Sequence, residues 1–130
     1  MKPLKSLILC LSMLGLLGAS LTVQAAGNWK KGRIYYRMVC TACHASQAGG
    51  SIAPSIKTKA EWGAYLDADS HAKGKDKVSY YISQEYRKSI ADSNRAAKKF
   101  LKVPNDVLAA DVRAFVIHGA KDSDTPARCN

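Results

Sequence analysis

Apolar residues along this 130-residue chain recur at spacings of three and four rather than in alternation, a period that predicts helices joined by loops. The first predicted helix runs from about Trp29 to Cys40, with Ile34, Tyr35, Met38 and Val39 at helical spacing and Met38 expected in the core. Gly, Ser, Ala and Pro54 then dominate residues 45–56, which predicts a loop. Thr58 followed by Glu61 has the pattern of a capping box and opens a short helix over 59–67, with Trp62, Tyr65 and Leu66 as its apolar face. Beyond a polar loop from Asp67 to Lys77, the spacing of Val78, Tyr81, Ile82, Tyr86 and Ile90 predicts a third helix. Ala96, Ala97, Phe100 and Leu101 add a turn or two, stopped by Pro104. The last and most regular helix begins at Asn105 or Asp106, either of which can cap, carries Leu108, Val112, Phe115 and Val116, and stops at Gly119. The expected fold class is all-α.

The first 25 residues have a different pattern. Lys2 and Lys5, an apolar run of eleven from Leu7 to Leu17, and Val23-Gln24-Ala25 form a secretory signal peptide cleaved after Ala25. The run is well short of the roughly 20 apolar residues that span a bilayer, so a soluble, exported mature chain is expected. Cys10 lies too near the N-terminus for a lipoprotein site and leaves with the peptide. The remaining 105 of the 130 residues divide into one domain over 26–122 and a polar tail over 123–130. A domain of this size has a small core, which a cofactor would enlarge.

Charge narrows the partners only a little. The formal +10 of the full chain falls to +8 once Lys2 and Lys5 are removed, because the signal holds no acid. Nucleic acid, anionic lipid and an acidic protein would all be drawn to such a surface, and export argues against nucleic acid. The basic residues are spread from Lys30 to Arg128, as on an ordinary solvated surface.

The chemistry is concentrated in Cys40-Thr41-Ala42-Cys43-His44. Two cysteines three apart serve as a redox dithiol, as half of a zinc site, or as the anchor of a covalent haem. A thioredoxin-type dithiol needs its first cysteine at a helix N-terminus within a fold of strands and crossovers. Here the strands are missing and the cysteines come after a helix. Zinc needs four ligands, and only His71, His118 and Cys129 remain, none paired at zinc-ligand spacing. Haem c explains the spacing directly. Two thiols add across the vinyl groups of one porphyrin, and the adjacent imidazole of His44 reaches the iron from one face. Export agrees, since c-type attachment takes place outside the bacterial cytoplasm.

The flanking residues resemble a class I cytochrome c. That family has a glycine, an aromatic and the first cysteine at steps of four, matched here by Gly32, Tyr36 and Cys40. The stretch from Asp111 to Val116 is similar to its C-terminal helix, which implies that Phe115 packs where Gly32 permits close approach. Pro54 resembles the family proline whose carbonyl accepts from the proximal imidazole, a bond that fixes the ring. The resemblance implies a cytochrome c-like bundle of about four to five helices around one covalent haem. It covers both ends of the mature chain well and the middle poorly.

The family's second axial ligand is a methionine shortly before the last helix, and this chain has none after Met38. Deprotonating a lysine at pH 7 costs about 4.6 kcal/mol, a thiol about 2, and an imidazole almost nothing, so histidine is the cheapest replacement. His71, in a loop behind Trp62 and Tyr65, ranks first; His118, at the edge of the last helix's apolar face, ranks second, and an open iron or another donor completes the set. Cys129 is the odd thiol, left in a mobile tail, paired with another chain, or close to the haem. The implied function is a periplasmic electron carrier, not an enzyme, bearing Cys40, Cys43 and His44 on one haem and steered to acidic redox proteins, membrane-bound respiratory complexes among them. The alternatives are a haem sensor or small enzyme with an open distal site, or a haem subunit of a larger oxidoreductase.

Overall fold

Gly32 and Gly27 set the arrangement of the two ends of the chain. In the computed structural model, which describes residues 26–47, 50, 52–71 and 74–128, a Cβ on Gly32 would run into the carbonyl oxygen of Asp111, and one on Gly27 into that of Ala110. Only glycine allows two helix backbones to approach so closely. The helices in question are α1 (Trp29–Tyr35) and α7 (Asn105–His118), which cross as the main packing contact of the fold. Asp111, although buried, places Oδ1 2.6 Å from the backbone N–H of Asn28, and the Asn28 side chain in turn caps α1 by accepting from the amides of Lys30 and Lys31.

Beyond Tyr35 the helix widens. Tyr36–Cys40 is a π-turn, with the amide of Thr41 donating to the carbonyl of Tyr36, and α2 (Thr41–Gln47) continues from it. A π-turn inserts an extra residue into the helical repeat and re-phases the turns after it. Tyr35, Tyr36 and Val39 are buried as a result, and Met38, expected in the core, is instead 55% exposed, with its carbonyl receiving the Asn94 side-chain amide at 2.9 Å.

Pro54–Ile56 is a 3₁₀ turn, and α3 (Lys59–Asp67) opens on the expected capping box: Thr58 Oγ1 accepts from the Glu61 amide at 3.2 Å and Glu61 accepts from the Thr58 amide at 2.7 Å. The expected third helix is two, α4 (Val78–Ile82) and α5 (Gln84–Ser89). Ser83 between them is extended, and its hydroxyl accepts from the Tyr86 amide, so a serine that competes with the helical backbone starts a new helix. The short α6 (Arg95–Lys99) is capped by Asn94, and Pro104 precedes α7.

The cap expected of Asn105 or Asp106 is not made: α7 has no side-chain cap, and Asn105 Oδ1 accepts from Arg87 at 2.6 Å and from the Gln84 amide at 2.8 Å. The helix does end before Gly119, whose φ of −95° is open to any residue. What requires glycine there is room, since a Cβ would lie 2.6 Å from that of Ala127. The fold is all-α, and among the described residues there is no strand. Among them, too, no helix is long and apolar enough to cross a membrane.

Candidate functional site

Cys40 closes the π-turn, and Cys43 and His44 come next on the first turns of α2, so the three side chains are carried by one continuous helical run. Cys40 is half-buried and Cys43 exposed. Burial, reinforced by the neighbouring thiol of Cys43, pushes the Cys40 thiol up to about 12. A dithiol redox centre needs the opposite, a nucleophilic sulfur with its pKa brought down toward neutrality. The helix supplies no such help, because the motif continues an existing helix and meets no N-terminal dipole.

Opposite this run stands His71. Its ring centroid is 5.5 Å from that of His44, with the planes inclined at 35°. Gly74 holds it from behind: the amide of Gly74 donates to the His71 carbonyl at 3.1 Å, and a Cβ on Gly74 would run into His71 Nδ1. Tyr81 packs on the other side with its centroid at 5.1 Å. Nδ1 of His71 is buried with no hydrogen-bond partner among the described residues. An imidazole nitrogen in that state is costly unless something else takes it up.

The surrounding wall is aromatic. Tyr80, Tyr81 and Tyr86 form a mutually packed trio with centroids 5.1 to 5.6 Å apart. Burial raises the Tyr86 phenol, and the thiols of Cys43 and Cys40 raise it further, which places this ring beside the motif. Tyr35, raised chiefly by burial, donates to the Tyr81 carbonyl at 2.7 Å and meets Phe100 edge-on. The sequence placed Tyr81 and Tyr86 on a helix face and gave them no part in a site. Nothing short of the turn that returns α4 and α5 toward α2 brings them there.

The other candidates fall elsewhere. His118 is exposed and stacks on Trp29 at 4.1 Å and 19°, with Thr125 Oγ1 3.4 Å from its Nε2. Cys129 lies outside the described residues, as does the whole of the signal peptide with Cys10. The Pro54 carbonyl, expected to accept from His44, receives the indole N–H of Trp62 at 2.7 Å and the Lys57 amide at 3.4 Å. Phe115 packs on Tyr36, centroids 5.4 Å apart, while Gly32 meets the Asp111 backbone one turn earlier.

Two further residues hold this region without any signal in the sequence. Arg87, fully buried on an otherwise polar helix, donates to the carbonyls of Ser83, Phe100 and Val103 and to Asn105 Oδ1. Burial lowers its pKa, and the four acceptors around the guanidinium satisfy its donors. Gly74 is the second. Only a loop glycine marks it in the sequence, and its contact with His71 is set by the turn.

No family model matches the chain, and neither does any curated protein or solved structure.

Proposed function

We propose that the chain is a c-type cytochrome of the bacterial periplasm, carrying single electrons between protein partners on one covalent haem. The observation that carries this reading is the meeting of His44, next to a pair of thiols spaced for thioether bonds, with a second imidazole 5.5 Å away. Two imidazoles brought this near one another are the side chains that would hold the iron of such a haem. Among the described residues no three His, Cys, Asp or Glu side chains gather as a metal site. A porphyrin brings four nitrogens of its own and asks the chain for only two.

In this reading Cys40 and Cys43 would hold the macrocycle through sulfur, and His44 and His71 would hold its iron. The bound iron supplies one-electron exchange; the rest is done by the chain. His71 is kept in position by Gly74 and Tyr81, and the half-buried trio of Tyr80, Tyr81 and Tyr86 would wall a haem on that side. The π-turn sets the phase that leaves Cys40 half-buried and Cys43 exposed. Replacing the thioether of the Met/His pair with a second imidazole lowers the reduction potential, which suits a low-potential carrier in anaerobic or metal- and sulfur-compound respiration. The +8 mature charge would speed encounter with acidic redox proteins, an effect that salt suppresses.

The test is absorption and electron paramagnetic resonance of the purified ferric protein. Low-spin signals are expected, turning high-spin in His71→Ala, with a midpoint potential that rises when methionine replaces His71. A high-spin wild-type spectrum with rapid binding of CO or NO would instead make the chain a sensor or small enzyme, and co-purification with a larger oxidoreductase would make it a subunit.

A further inference from the structure

A second site stands away from the two histidines, in the angle between α1, the end of α7 and the returning C-terminal segment. It is a cleft of about 260 Å³ whose rim carries Arg33, Arg37 and Arg128, and no carboxylate is among its lining residues. Arg33, on the last turn of α1, and Arg37, in the π-turn that follows, both line it, and like charges so placed repel. Both are exposed, and the one salt bridge among the described residues, Arg113 to Asp67, involves neither.

The third arginine is brought there by built structure. The amide of Ala127 donates to the Gly119 carbonyl at 2.9 Å, and the Ala127 carbonyl accepts from the Ser55 amide at 3.2 Å. Ala127 fits because Gly119 has no side chain: a Cβ there would lie 2.6 Å from that of Ala127. The segment that delivers Arg128 is thus pinned at the residue before it.

The remaining walls are flat and apolar. Trp29 stacks on His118 at 4.1 Å, and Tyr36, Phe115 and Pro54, all buried, form the floor. Thr125 adds a hydroxyl beside His118 Nε2. Three guanidinium groups with no carboxylate among the described lining residues, around an apolar floor, are the recognition chemistry of a multiply charged oxyanion carried on an organic body. A singly charged carboxylate would leave most of that charge unmatched.

We infer that this cleft binds a small organic phosphate monoester, its phosphate held by Arg33, Arg37 and Arg128 and its carbon body laid against the Trp29–His118 stack. The inference is independent of the haem reading, since none of Cys40, Cys43, His44 and His71 lines the cleft. The phosphate has two possible sources, a soluble ester or a lipid headgroup.

Isothermal titration of the full mature protein, with its cofactor as isolated, provides the test. Phenyl phosphate is expected to bind one-to-one and at least about tenfold more tightly than benzoate, since paired guanidinium groups favour the doubly charged head. Arg33→Gln/Arg37→Gln, changes at two exposed side chains, should weaken phenyl phosphate by at least about tenfold with an unchanged far-ultraviolet dichroism spectrum. Trp29→Ala should remove the preference for phenyl phosphate over inorganic phosphate. Co-sedimentation with phosphatidic acid vesicles, whose headgroup is itself a phosphate monoester, that phenyl phosphate competes away would assign the site to a lipid headgroup, and phenyl phosphate binding without vesicle binding to a soluble ester. Absence of saturable phosphate binding, binding unchanged in the double variant, or tighter binding of an acidic peptide than of phenyl phosphate would overturn the inference.

Discussion

The two halves of this molecule are held together in different ways. Where the chain ends meet, α1 and α7 pack backbone on backbone at Gly27 and Gly32, and Tyr36, Leu108, Val112, Phe115 and Val116 fill the contact to near-complete burial. Between Lys57 and Asn94, by contrast, only Trp62 and Ile82 among the described residues join the buried apolar core. The helices there run five to nine residues, and the aromatic side chains around His71 are half-buried tyrosines. Helices that short are not stable without tertiary support. The α1–α7 crossing closes with protein alone, whereas the middle brings His71 and its phenol rings up to the run that carries Cys40, Cys43 and His44, where the proposed haem would complete the packing.

Substitutions that strike one half and spare the other sharpen this contrast. The largest effect is expected at Arg87, which ties α5 to the segment before α7. Arg87→Met would strip the carbonyls of Phe100 and Val103 and the Asn105 side chain of a buried donor, at a cost of about 3–5 kcal/mol. Denaturant unfolding would measure it, and a loss below about 1 kcal/mol, no more than a single ordinary hydrogen bond, would mean that the middle does not depend on this clamp. Next comes Gly32→Ala, which drives a Cβ against the Asp111 carbonyl and should destabilise by about 1–3 kcal/mol, or more if α1 is forced off α7. If the halves are as distinct as described, hydrogen exchange will rise across α1 and α7 in this variant while the α3 amides change less.

The smallest effect lies at the start of α3. Thr58→Ala removes one arm of the capping box, for about 1 kcal/mol. Acid probes the same region without mutation. The Thr58 amide holds the Glu61 carboxyl below its ordinary range, the Arg113 guanidinium does so for Asp67, and the Ser79 hydroxyl for Asp69. A lowered folded-state pKa means that the stabilisation is fully present above the unfolded values of about 4 and is lost as pH falls through the lower folded ones. Amide exchange measured on descent through that window should quicken first over 58–79, ahead of the α1–α7 crossing. Uniform acceleration along the chain would contradict the division into halves.

How much could be read from sequence depends on how local each signal is. The capping box at Thr58 and Glu61 depends on four consecutive residues and appears as expected, bond for bond. The last helix rests on a long apolar period and ends where expected, but its cap does not form, because Asn105 is drawn away by Arg87, a residue 18 positions earlier. The π-turn has no periodic signature, so the burial expected of Met38 came out on the wrong face. Ser83 broke a helix that its apolar spacing favoured, through a hydroxyl that periodicity does not weigh. Within the candidate site the thiols and His44 are a contiguous motif, legible at once. The approach of His71 and the tyrosines depends on turns in the Gly- and Lys-rich loop, and periodicity does not specify those.

A porphyrin joined through sulfur to Cys40 and Cys43 is the central claim, and intact mass measurement of the purified protein under denaturing conditions tests it most directly. The expected result is the mass of the polypeptide plus one haem, with both thiols closed to alkylation. A mass equal to the bare polypeptide, with Cys40 and Cys43 both alkylated, would contradict it.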